Sequence, residues 1–109
     1  MADFQIEIEF QLGGKYSRDI DLLESIGTVL DETASETGPS AAIHGDLYSV
    51  TLITAGDSFL SAGKRAAEVV VAAVNRALME RGDELDEYAF ETLVERMLIE
   101  HAPTELALA

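Results

Sequence analysis

Nine residues near the start of the chain alternate without a break: Phe4, Ile6, Ile8, Phe10 and Leu12 are apolar, and Gln5, Glu7, Glu9 and Gln11 fill the gaps. Successive strand side chains point to opposite faces, so residues 4–12 predict a strand with one dry face and one face of carboxylates and amides. A half-buried strand commits the chain to a sheet whose dry side the remaining elements must cover. The 109 residues suffice for one hydrophobic core, and an apolar content of 48% sets the chain apart from disordered ones despite its charge. One α+β domain over residues 1–109 is expected, with the stretch after Pro103 (TELALA) fraying as a tail.

Gly13-Gly14 closes the strand, and the period then changes. Over residues 19–37, Ile20, Leu23, Gly27, Leu30 and Ala34 recur at intervals of three and four, the spacing of one helix side. Asp19 or Ser17 is the expected N-cap, and Asp21 and Glu24 sit where the helix dipole favours anions. Gly38-Pro39 stops the helix. Gly27 costs about 1 kcal/mol against alanine in a helix interior, which points to close packing against a neighbour. Gly45-Asp46 then reads as a two-residue hairpin turn, setting His44 opposite Leu47, Ile43 opposite Tyr48 and Ala41 opposite Val50. That register collects Ala41, Ile43, Tyr48, Val50 and Leu52 on one face. Ala42, His44, Leu47, Ser49, Thr51 and Ile53 fall on the other.

A second helix is predicted over residues 58–81, capped by Asp57 or Ser58 and closed by Gly82. Phe59, Ala62, Ala66, Val69, Val70, Ala73, Ala77 and Leu78 form its broad apolar side, and Ser61, Lys64, Arg65, Glu68, Asn75 and Arg76 its polar one. Residues 84–101 read two ways. Phe90, Leu93, Val94, Met97 and Leu98 fall at helical spacing in a helix-forming composition. Phe90, Thr92 and Val94 also alternate with Glu91, Leu93 and Glu95 as a strand does. A strand would give the cadence β-α-β-β-α-β, which resembles the ferredoxin-like split fold: a four-stranded antiparallel sheet with both helices on one face. A C-terminal helix would give three strands under three helices. The four-stranded version is preferred, because three strands offer two long helices less area to cover. The resemblance is one of cadence and carries no family motif.

Composition narrows function mostly by exclusion. Without cysteine there is no disulfide, thiolate nucleophile or cysteine-held metal centre. Seven basic against 21 acidic residues leave a net charge of −14, which repels phosphate backbones and anionic lipid, so no direct nucleic-acid or membrane binding is expected. The basic residues do not cluster beyond Lys64–Arg65. The longest apolar run, residues 69–74 (VVVAAV), is too short to span a bilayer. No secretory signal pattern is visible, so a cytoplasmic setting is the expectation. The acidity has three readings: a solvated surface, adaptation to salt, or a partner with a basic surface.

Two groups of residues are candidates for function. Glu7 and Glu9 would share the outer sheet face with His44, Leu47, Ser49, Thr51 and Ile53. Such a face suits contact with a second copy of the chain or with another protein. His44, Asp46 and Tyr48 lie within five residues and suggest acid–base chemistry. Turn formation already accounts for Asp46, however, and core packing for Tyr48. His101 has no partner at metal-ligand spacing. Gly13-Gly14-Lys15 lacks the phosphate-loop pattern, and Asp83, Glu84, Asp86 and Glu87 lack that of an EF-hand. No cofactor or metal is expected. The leading expectation is a small non-catalytic interaction or regulatory module, acting as a homodimer or on a basic-surfaced protein. The alternatives are a small-molecule-binding dimer or enzyme using His44 or Tyr48, and a salt-adapted protein of other function.

Overall fold

Residues 2–12, 16, 19–82 and 94–101 are described by a computed structural model. The alternating segment forms β1 (Ala2–Phe10), followed by α1 (Ile20–Thr33), a 3-10 turn (Ser35–Thr37), β2 (Ser40–His44), β3 (Leu47–Gly56), α2 (Phe59–Glu80) and β4 (Val94–His101). The strands form one antiparallel sheet in the order β2-β3-β1-β4. Phe4, Ile6, Ile8 and Phe10 of β1 and Tyr48, Val50 and Leu52 of β3 share one buried cluster with side chains of both helices, so α1 and α2 cover the same sheet face.

The hairpin follows the register its turn dictates: His44 faces Leu47, Ile43 faces Tyr48 and Ala41 faces Val50. Gly45 takes φ of 62° in that turn, a conformation glycine adopts without steric cost. The ambiguous C-terminal element is a strand over residues 94–101, paired with β1. The calls on residues 84–93 and on the tail fall outside the described residues, as do those on Gly13-Gly14 and Ser17. β1 also stops two residues earlier than the alternation, leaving Leu12 buried beyond its end.

The α1 stripe differs from the expected one. Leu22, Ile26, Val29 and Leu30 are buried, whereas Ile20 is 63% exposed and Leu23 and Gly27 are only half-buried. Two apolar stripes overlap on this helix. The one that faces the sheet brings larger branched side chains and so fills more core volume. Asp19 is the N-cap, accepting a hydrogen bond from the Leu22 amide. Gly27 is not a close-packing site either, because an added Cβ would meet nothing within 4 Å. Gly27→Ala should therefore stabilise the fold by about 0.5–1 kcal/mol through the lost entropy of the unfolded chain. Thermal melting should show Tm a few degrees higher, and an unchanged or lower Tm would contradict the open space seen at that site.

On α2, Ser58 and Ser61 form a reciprocal capping box. Its buried stripe includes Gly63 and Val74, which the expected stripe omits. Phe59, assigned there to the apolar side, is 47% exposed, and Val69 is half-buried. Phe59 sits at the helix start, where its ring packs with Phe4 and His101 at the sheet margin rather than inside the core. The small stripe lets α2 lie close on the sheet: at Gly63 a Cβ would be 2.7 Å from the Ile99 Cδ1 atom of β4.

Candidate functional site

The face opposite the helices carries the side chains that the alternation left polar. Its rows follow from the strand registers. Ile53, Gln5 and Glu100 form one row, and Ser40, Thr51, Glu7 and Leu98 the next. Ala42, Ser49, Glu9 and Arg96 form a third, and His44 with Leu47 closes the hairpin end. All seven expected site residues therefore lie on this face. Glu7, Glu9, Ser49 and Thr51 are adjacent, whereas His44 and Leu47 sit a row beyond Glu9 and Ile53 a row beyond Glu7 on the other side.

Arg96 is the residue that sequence reasoning missed. From β4 its guanidinium lies 3.7 Å from Glu7 and 3.6 Å from Glu9. The signal was present in VERMLIEH, where Arg96, Leu98 and Glu100 alternate with Met97 and Ile99. It becomes readable only once the segment is known to be a strand. Arg96 is exposed and the two carboxylates half-buried, so solvent screens these pairs and each contributes little to stability, typically about 0–1 kcal/mol. Among the described residues no three His, Cys, Asp or Glu side chains stand close enough to hold a metal ion. Among the described residues, with Asp3, Glu7, Glu9 and Glu100 against Arg96, the face is negative, and neither helix covers it. Two aliphatic side chains are exposed on it, Ile53 at 40% and Leu98 at 42%.

His44 and Tyr48 do not form a site together. Adjacent pairs on the hairpin point to opposite faces, so His44 is exposed on the outer side and Tyr48 is fully buried on the helix side. The Tyr48 hydroxyl donates to the Tyr16 carbonyl and accepts from the Asp19 amide at 3.2 Å. Burial pushes the phenol pKa up, which keeps that proton in place. The carboxylate of Asp19 in turn accepts from Arg81 at 2.9 Å. The set ties the start of α1, the end of α2 and the hairpin end of β3 together, a structural role.

The Leu22 amide lowers the Asp19 pKa below its ordinary 3.8; burial opposes this and the Arg81 guanidinium reinforces it. A carboxylate depressed in the folded state contributes stability above its unfolded pKa and loses it as pH falls through the folded value. Asp19→Asn keeps a capping oxygen but removes the charge. The stability gap between the native protein and Asp19→Asn, measured by urea denaturation, should be largest near about pH 7 and close toward about pH 2. A gap independent of pH would remove the charged pair from the account.

No protein-family model, curated protein or solved structure matches this chain.

Proposed function

We propose that the chain is a non-catalytic protein-interaction module of ferredoxin-like build, binding a basic-surfaced protein through the outer face of its sheet. The observation that carries this reading is the composition of that face: four carboxylates against one guanidinium, with Ile53 and Leu98 exposed among them. Mixed aliphatic and acidic surface suits a partner that supplies cations and some apolar contact. The split βαββαβ order supports the architecture, since both helices pack on one face of the sheet and neither covers the other. A second copy of the chain is the weaker occupant, because stacking two such faces sets carboxylates against carboxylates. A cytoplasmic setting belongs to the same proposal.

Salt separates the two occupants. Attraction to a basic partner is screened and weakens as salt rises, whereas association of two chains at −14 each strengthens. Affinity capture at low salt should retain a basic protein that high salt releases, and the Glu7→Lys, Glu9→Lys double variant should lose it while keeping its circular dichroism. Retention unaffected by the charge reversal would end the proposal. Sedimentation equilibrium showing a dimer that tightens with salt would assign the face to a second copy instead.

A further inference from the structure

The strand β3 is longer than its edge partner. β2 pairs with residues 47–51, whereas β3 continues to Gly56. The two-residue turn makes His44 and Leu47 the closing hydrogen-bonded pair. Alternation along an antiparallel strand then aims the backbone N–H and C=O groups of Ser49, Thr51, Ile53 and Ala55 toward the β2 side. Ser49 and Thr51 have Ala42 and Ser40 opposite them. At Ile53 and Ala55 the neighbouring chain has left the ladder and coils into the 3-10 turn, which stays beside β3: Gly38 takes φ of 59° and its N–H bonds to the Ser35 carbonyl. Among the described residues no backbone bond outside the ladders reaches Ile53 or Ala55.

Beside this edge lies a cavity of about 360 Å3, walled by Thr37, Thr54 and Val69 and lined with the charged groups Asp3, Glu36 and Arg65. A second cavity of about 300 Å3 shares Glu36, Arg65 and Val69 and adds Glu68. Together they make a groove running from the β3 edge between the 3-10 turn and α2. Asp3, Glu36 and Glu68 outnumber Arg65, and none of the four is ion-paired among the described residues.

We propose that the free end of β3 receives a short, basic, extended peptide as an added strand collinear with β2. Its ladder bonds go to Ile53 and Ala55, and alternate side chains enter the groove. The groove side selects lysine or arginine, whose aliphatic stems lie along Val69 while their charged ends meet Glu36 and Glu68. The unpaired length fits about four residues. The site shares a basic partner, Asp3 and Ile53 with the face proposed above, but it depends on Glu36 and the β3 edge rather than on Glu7 and Glu9, so the variants at those positions make the two fail separately.

The test uses a capped peptide of alternating lysine and valine against the 15N-labelled protein. Titration should shift the amide signals of Ile53, Thr54 and Ala55 and slow hydrogen exchange at Ile53 and Ala55. Methylating alternate peptide nitrogens, which removes ladder donors and keeps every charge, should weaken binding about tenfold or more. Glu36→Lys should weaken it comparably, and the Glu7→Lys, Glu9→Lys variant should leave it unchanged. Equal binding of the methylated peptide, shifts centred on the Glu7–Glu9 face, or no shift at Ile53 and Ala55 with millimolar peptide would each overturn the proposal.

Discussion

Adding a single methyl group at position 56 should cost about 3 kcal/mol and lower Tm by on the order of 10–20 °C. Gly56 ends β3 where the chain turns into α2, and a Cβ there would lie 2.8 Å from the Ser61 Oγ atom and 2.9 Å from the Ala62 backbone nitrogen. Ser61 can swing aside. The Ala62 nitrogen cannot, because it belongs to the first turn of the helix and bonds to the Ser58 carbonyl. The same turn is held to the sheet by the buried Thr54 hydroxyl, which donates to the Ala62 carbonyl at 2.9 Å. Relief of the clash must therefore move the start of α2 or the end of β3, and either movement breaks that bond or the capping box. Urea denaturation of Gly56→Ala measures the cost. A loss below about 1 kcal/mol would mean that the junction yields freely, against the overpacking argument. The opposite sign expected for Gly27→Ala makes the pair informative, since one chemical change meets backbone at one site and open space at the other.

Truncating Tyr48 should be the most damaging single change in the core. Tyr48→Ala is expected to cost about 3–5 kcal/mol, a large share of the roughly 5–15 kcal/mol that holds an ordinary domain folded. The side chain has no exposed surface, and its ring stacks on Phe10 with centroids 5.5 Å apart and planes 12° from parallel. Its removal leaves a cavity between α1 and the sheet and unties the hydroxyl from Tyr16 and Asp19. Tyr48→Phe separates the two contributions. It keeps the stack but removes the hydroxyl's bond to the Tyr16 carbonyl, which still accepts from the Asp19 amide, at about 0.5–1.5 kcal/mol for one hydrogen bond lost. Denaturant midpoints should rank native above Tyr48→Phe above Tyr48→Ala. A phenylalanine variant as stable as the native protein would show that the hydroxyl network adds nothing.

The polar groups on this fold are settled more by position than by kind. Glu7 and Glu9 were legible as the wet half of β1, and the Gly45-Asp46 turn fixed which hairpin residues join them on that face. Their neutralising neighbour was not legible, because Arg96 reaches them from a strand 87 positions away from Glu9 in the chain. Tyr48 was legible as core. That its hydroxyl would anchor the start of α1 depends on a contact 32 residues distant in sequence, which no local pattern encodes.

Local sequence alone determined the elements whose instructions are short-range. The alternation of β1, the hairpin register, the caps at Asp19 and Ser58 and the break at Gly82 all act within a few residues, through backbone sterics and nearby hydrogen bonds. The stop expected of α1 at Gly38 comes earlier, at Thr33, and Gly38 closes the separate 3-10 turn that follows. Only the tertiary structure decided between evenly matched local options. VERMLIEH suits a helix by composition and a strand by alternation, and the open edge of β1 tips it to a strand by supplying ladder partners from Phe4 to Phe10. The two overlapping stripes of α1 are likewise close in local preference, and the sheet takes the one whose Leu22, Ile26 and Val29 join the core cluster. In both cases the deciding energy comes from surfaces that meet only after the chain has folded back on itself.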